Sequence, residues 1–306
     1  MIDPLAGRVL KGDRRAVARA ITRVENGEDS TDLLDGIAKS LGRAFILGLT
    51  GPPGTGKSTL VDGIVAQYRR RKLRVGVIAV DPTSPITGGA LLGDRVRMGQ
   101  HTLDSGVFIR SMASRGWSGG LSGAVSEAIQ ILDAAGMDVV IIETVGIGQS
   151  DIEIMKIAHA VMVVTMPGLG DDVQVSKAGL MEIGDIYAVN KSDLPGADAM
   201  VINLLSMVRD MKGRSPPVLK VSALKGDGMD VLFGAVEAIR GRLLTPAGDE
   251  MRLRSVRGMI VELAKKKLLG EFEARAFARS VEVARKVADH EMSFEEAAVL
   301  LAAGTG

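Results

Sequence analysis

Gly51-Pro52-Pro53-Gly54-Thr55-Gly56-Lys57-Ser58 places three glycines, a lysine and a serine within eight residues. Glycine at 51, 54 and 56 lets the backbone turn tightly, so that several N–H groups converge on one anion. Lys57 adds a fixed positive charge for terminal phosphates, and Ser58 adds a hydroxyl for Mg²⁺. The stretch satisfies the phosphate-binding pattern G-x-x-x-x-G-K-[ST] at every fixed position. Its flanks agree: Phe45 to Leu49 reads as a buried strand, and Ser58 to Tyr68, with Thr59 in its first turn, as a helix facing the loop with its N-terminus. Strand, glycine loop and helix in this order predict an α/β fold of the P-loop kind that binds a nucleoside triphosphate.

Outward from the loop, apolar runs alternate with helical segments. The runs are 45–49, 75–80, 107–110, 139–142, 161–165, 186–189 and 218–221. Most are continuous rather than alternating, as a mostly parallel central sheet flanked by helices on both faces requires. Before the first run, residues 13–26 put Ala16, Val17, Ala20, Ile21 and Val24 on one helical face, with Asp13 as N-cap and Gly27 as stop. A shorter helix is expected from Thr31 to Leu41. Thr245-Pro246-Ala247-Gly248 breaks the alternation, and 251–304 reads as helical, with a capping box at Ser293 to Glu296. The expected organisation is an N-terminal helical extension (1–43), a P-loop domain (44–244) and a C-terminal helical arm (245–306).

Composition narrows the function. The 306 residues carry 38 basic and 37 acidic side chains, so no net charge draws the chain to nucleic acid. No run approaches the roughly 18–20 apolar residues that span a bilayer, and Met1-Ile2-Asp3-Pro4 does not open a signal peptide. A cytoplasmic protein that contacts neither membrane nor nucleic acid is expected. With no cysteine, disulfides and thiolate metal sites are excluded. His101, His159 and His290 stand apart and read as surface or packing residues, which counts against a nickel-delivery role.

Two further segments specify the nucleotide. Asn190-Lys191-Ser192-Asp193 follows the run 186–189. A carboxylate at Asp193 accepts from both N1–H and the exocyclic amine of guanine, which adenine does not present, while Asn190 and Lys191 brace the loop and cover the base. Ser222-Ala223-Leu224, just past the run 218–221, resembles the loop that covers guanine in GTPases. On the metal side, the run 139–142 ends in Glu143-Thr144-Val145-Gly146. An acidic residue there holds Mg²⁺ directly or through water, and the Gly146 N–H meets the γ-phosphate. Most GTPases have aspartate at this position, so Glu143 is a departure that leaves both modes open. Asp81 and Asp94 are further candidates for the metal. The group that activates the attacking water is either Gln149, which is near the right place in sequence, or one supplied by a partner that completes the site.

Several separate motifs resemble one family. They are Asp81-Pro82-Thr83-Ser84, Gly88 to Arg95, Glu143-Thr144-Val145-Gly146-Ile147-Gly148-Gln149-Ser150 and Pro167-Gly168-Leu169-Gly170-Asp171-Asp172. The likeness, over about residues 8–240, is to the methylmalonyl-CoA mutase-associated GTPases (MeaB/ArgK type) of the metallocentre-assembly group. It implies a GTPase chaperone of an adenosylcobalamin-dependent acyl-CoA mutase, with Mg²⁺ and GTP or GDP bound, that gates cofactor loading and protects or reactivates the mutase. It also implies a homodimer formed through the C-terminal arm, switch segments at 81–98, 143–152 and 167–177, and a catalytic approach by Lys177. Lys57, Glu143, Gln149 and Lys177 form the expected catalytic set. The stretch 110–120 is family-like, but Trp117 and Ser118 depart from it. Slow intrinsic turnover that rises with the mutase is expected. The alternative is a GTP- or ATP-dependent kinase of a small molecule or transport protein, distinguished by whether γ-label goes to phosphate or to an acceptor.

Overall fold

A computed structural model describes residues 3–81, 101, 103–113, 120–144, 152, 155–168, 180–209, 215–243 and 245–303. The seven apolar runs all form strands: β1 Phe45–Thr50, β2 Val75–Asp81, β3 Val107–Ala113, β4 Val139–Glu143, β5 Ala160–Thr165, β6 Ile186–Val189 and β7 Val218–Lys220. They make one sheet in the order β3-β2-β4-β1-β5-β6-β7, and every neighbouring pair is parallel. Strand β3 outlasts its apolar run because Glu25 pairs with Arg110 and accepts from the Ala113 N–H at 3.2 Å.

The continuous runs are explained by two cores, one on each face. Phe45, Leu47 and Leu49 of β1 pack with Leu60, Ile64 and Tyr68 on one face. Ile46 faces the other, with Val17, Ile21, Leu33 and Ile37. The helices are α1 Pro4–Val9, α2 Arg14–Glu25, α3 Thr31–Ile37, α4 Lys57–Arg70, α5 Gly120–Ala134, α6 Leu180–Ile183, α7 Ala197–Arg209, α8 Met229–Leu243, α9 Asp249–Ala288 and α10 Phe294–Ala302. The N-terminal helices therefore complete the core of one sheet face. Asp13 caps α2, accepting from Arg15 N and Ala16 N at 2.9 and 3.1 Å. Helix α3 ends at Ile37, earlier than its pattern predicts, and gives way to a 3₁₀ turn at Ala38–Ser40. The chain is then drawn toward β1 by Asp133, whose carboxylate accepts from the backbone N–H of Gly42, Arg43 and Ala44.

The C-terminal arm opens on a 3₁₀ turn at Pro246–Gly248 that leads into the forty-residue helix α9. Its early part is fastened to the core by polar contacts. Ser255 Oγ donates to the Ile157 carbonyl at 2.6 Å and Arg254 to the His159 carbonyl at 3.0 Å. Lys266 pairs with Glu127 and donates to the Val24 carbonyl at 3.1 Å. Leu253, Ile260 and Leu268 of the same helix are exposed. The capping box appears as expected, with Ser293 and Glu296 exchanging hydrogen bonds of 2.8 and 3.1 Å. No described helix is long and apolar enough to cross a membrane.

The histidines take the expected surface and packing roles. His290 is exposed, and His101 Nε2 lies 3.3 Å from Asp62. His159 stacks on Phe45, and its Nδ1 accepts from the Ile46 N–H at 3.0 Å. Burial, helped by Arg254 and Arg252, pushes its imidazole down to about 4. The neutral ring therefore stabilises the fold fully above the ordinary value near 6.5, and that contribution is lost as pH falls from there toward 4. The loss is on the order of 3 kcal/mol. His159→Asn keeps an acceptor for Ile46 but removes the titration. Its melting temperature should thus fall less between pH 7 and pH 4.5 than that of the wild type; parallel curves would rule this out.

Candidate functional site

Parallel strands send their carboxyl ends to one edge of the sheet, where open α/β folds bind ligands. In β1, β2 and β4 the register is fixed by Leu49 opposite Glu143 and Glu143 opposite Ala79. That alignment brings the glycine loop after β1, Asp81 at the end of β2 and Glu143 at the end of β4 to the same edge.

The loop is held by close backbone approach. Gly51 has φ 144°, and a Cβ there would lie 2.0 Å from the Val164 carbonyl oxygen of β5. Gly56 is the left-handed N-cap of α4 at φ 86°, and a Cβ there would lie 2.5 Å from Asn190 Nδ2. Thr55 Oγ1 donates to the Pro52 carbonyl at 2.9 Å. Lys57 is buried, and its Nζ donates to the carbonyls of Gly51 at 2.7 Å and Pro52 at 3.0 Å. Those bonds fold the ammonium back over the loop, poised where an anion would lie. Pro53, Gly54 and Thr59 are exposed around it.

On the metal side, Ser58 Oγ donates to Glu143 Oε1 at 2.8 Å, and both side chains are buried. The Thr144 N–H donates to the Leu49 carbonyl at 3.1 Å, fixing the end of β4 against β1. Asp81 is buried at the end of β2. These are hard oxygen donors, the set Mg²⁺ takes. Among the described residues no three His, Cys, Asp or Glu side chains converge as a closed metal cage. The buried hydroxyls of Thr50, Thr144 and Thr165 have no hydrogen-bond partner among the described residues, so polar lining remains available at the strand ends.

The base side is built from the loops after β6 and β7. Asn190 is buried and bridges them: Nδ2 donates to the Thr55 carbonyl at 2.8 Å, and Oδ1 accepts from the Ala223 N–H at 3.0 Å. Lys191 takes a left-handed conformation at φ 54°, and the Ser192 N–H donates to the Val221 carbonyl at 3.0 Å. Asp193 accepts from Ser222 Oγ at 2.9 Å and pairs with Lys225 at 3.1 Å. The Ser222 hydrogen bond and the Lys225 ammonium hold its carboxyl below the usual range, so it is ionised at neutral pH. Leu224 is exposed beside it.

The fold thus gathers Lys57, Ser58, Asp81, Glu143, Asn190, Lys191, Asp193, Ser222, Ala223 and Leu224 at the carboxyl edge. Asp94, Gly146, Gln149, Lys177, Trp117 and Ser118 lie outside the described residues. Lys225 belongs to no motif, and its one signal in the sequence is its place before the Gly226-Asp227-Gly228 turn. A separate cleft of about 880 Å³, lined by Asp3, Arg8, Arg19, Thr22 and Arg23, lies on the N-terminal helices. Arg23–Asp3 and Arg8–Asp13 ion pairs neutralise much of its charge, and the site's chemistry is not there.

Comparison with known proteins agrees with this geometry. The family described as "Methylmalonyl Co-A mutase-associated GTPase MeaB" matches residues 17–276. A protein of Pyrococcus abyssi is 48% identical over 284 residues, covering 90% of this chain and 87% of its own. GTPase ArgK of Escherichia coli is 39% identical over 262 residues, covering 82% of this chain and 78% of its own. A crystal structure of a LAO/AO transport system kinase superposes with a TM-score of 0.70 at 27% identity, covering 98% of each chain.

Gly51→Ala combines a clash against the Val164 carbonyl with a strained φ. We expect it to lower stability by about 3 kcal/mol or more, read as a shift in the urea midpoint. An unchanged midpoint would show that the loop does not pack on β5 in this way.

Proposed function

The chain belongs to the methylmalonyl Co-A mutase-associated GTPase (MeaB) family, and on that premise we propose that it is a chaperone of an adenosylcobalamin-dependent acyl-CoA mutase. It binds and hydrolyses GTP, as its relatives' names and its P-loop fold establish. In the reading we favour, binding and hydrolysis gate the loading of cofactor onto the mutase and protect or reactivate it. The observation that carries this reading is family membership over residues 17–276, together with an intact phosphate and base edge.

The chemistry is attack of water on the γ-phosphate, driven by positioning and charge neutralisation. Lys57 leaves the Gly51 and Pro52 carbonyls for the terminal phosphates, and the loop N–H groups bind the same oxygens. Ser58 and Glu143 would hold Mg²⁺, with Asp81 supporting, and a metal there would supply neutralisation of the charge that develops on the phosphates. Asp193 and Asn190 select and brace the guanine. In the same reading Asp94 would support the metal, the Gly146 N–H would meet the γ-phosphate, Gln149 would act on the attacking water, and Lys177 would approach the nucleotide when the mutase is bound.

We extend the reading to the chain's organisation: a P-loop domain at 44–244, a helical extension at 1–43, and an arm at 245–306 that would serve dimerisation. The exposed Leu253, Ile260 and Leu268 of α9 support dimerisation, since exposed apolar stripes on a helix mark contact surfaces. A cytoplasmic setting suits a mutase partner. The kinase reading is weaker. Its support is the description of one similar structure, and Asp193 speaks against ATP as donor.

The test is steady-state GTP hydrolysis by the purified protein, alone and with purified adenosylcobalamin-dependent mutases. Slow turnover alone, rising at least tenfold with one mutase, is expected. Rapid hydrolysis that no mutase alters would overturn the chaperone reading, and transfer of γ-label to an acceptor would favour the kinase.

A further inference from the structure

Asp193 is gripped by two side chains of one turn. Ser222 Oγ donates to Oδ1 at 2.9 Å, and Lys225 Nζ lies 3.1 Å from Oδ2. Each carboxylate oxygen is therefore oriented while keeping lone-pair capacity for an incoming donor. The turn itself is rigid. The Ser222 N–H donates to the Asp227 carbonyl at 2.9 Å, and the N–H groups of Gly226 and Lys225 return to the Ser222 carbonyl at 2.8 and 3.1 Å. Its next residue is tied to the phosphate-loop brace, because the Ala223 N–H donates to Asn190 Oδ1 at 3.0 Å. Lys225 thus projects from a frame fixed relative to the whole site.

We infer that Lys225 is a specificity-positioning residue for guanine, which with Ser222 fixes the plane of the Asp193 carboxylate so that both oxygens meet the base together. The inference rests on Asp193 as the base reader. Guanine presents two donors, N1–H and the exocyclic amine, and needs both oxygens in one plane. Hypoxanthine presents N1–H alone and tolerates a rotated carboxylate. Removing Lys225 should therefore weaken guanine more than hypoxanthine, whereas loss of general loop structure would weaken both alike. The Lys225 side chain is more than half exposed, at 57%, so solvent screening keeps the effect to a few fold.

The experiment measures GDP and IDP affinities of the full chain by calorimetry, for wild type, Lys225→Met, Lys225→Arg and Asp193→Asn. Lys225→Met should weaken GDP roughly three- to fivefold and IDP by less than about twofold. Lys225→Arg, which keeps charge and donor, should restore GDP binding. Equal weakening of both nucleotides, no weakening, or failure of the arginine to rescue would each overturn the inference. Asp193→Asn tests the underlying reading separately, because an amide NH₂ suits the 2-oxo group of xanthine. A shift of preference from GDP to XDP is expected there. If that shift occurs while Lys225→Met binds like the wild type, only the role of Lys225 falls; if it fails to occur, the base reading falls with it.

Discussion

One buried amide ties this site together. Asn190 emerges from the sheet edge with its Nδ2 on the phosphate-loop carbonyl of Thr55 and its Oδ1 on the Ala223 N–H. Three loops, from β1, β6 and β7, are thereby joined through one side chain that is 2% exposed. Because both ends of the amide are satisfied inside the protein, moving any one loop leaves a buried polar group without a partner, at about 1–3 kcal/mol. The close approach of Gly56 to the same amide makes the joint tight as well as polar. Phosphate and base recognition are therefore one mechanical unit.

The metal side is joined to that unit through α4. Ser58 lies in its first turn and bonds Glu143 at the end of β4, so helix and strand are coupled at the atoms a metal would use. Glutamate where aspartate is commoner suits this geometry, since its longer side chain reaches the Ser58 hydroxyl at 2.8 Å. Farther along, the backbone carbonyls of Ile157 and His159, which precede β5, are fastened to α9 of the arm. The arm thus rests on the chain that leads from Glu143 into the next strand.

Much of this was legible in the sequence because the signals are local. The glycines and Lys57 occupy fixed spacings, and the strands read as apolar runs since both faces of a parallel sheet are covered. Asp13 and Ser293 announced their caps by residue type and spacing. What was illegible depends on distant partners. The early end of α3 is set by Asp133 receiving three backbone N–H groups from the chain before β1, a contact no local pattern encodes. The extension of β3 depends on Glu25, which arrives from α2. Lys225 has meaning only once the turn after β7 is laid beside the loop after β6.

The claim that phosphate and base halves act as one unit is tested most directly at Asn190, the side chain bridging the two. The measurement is GDP and ADP affinity of Asn190→Ala, with folding checked by circular dichroism. GDP binding should weaken by at least about tenfold, the equivalent of one lost buried partner, and the GDP-over-ADP preference should collapse. A variant that binds GDP more weakly but keeps its full preference over ADP would contradict it.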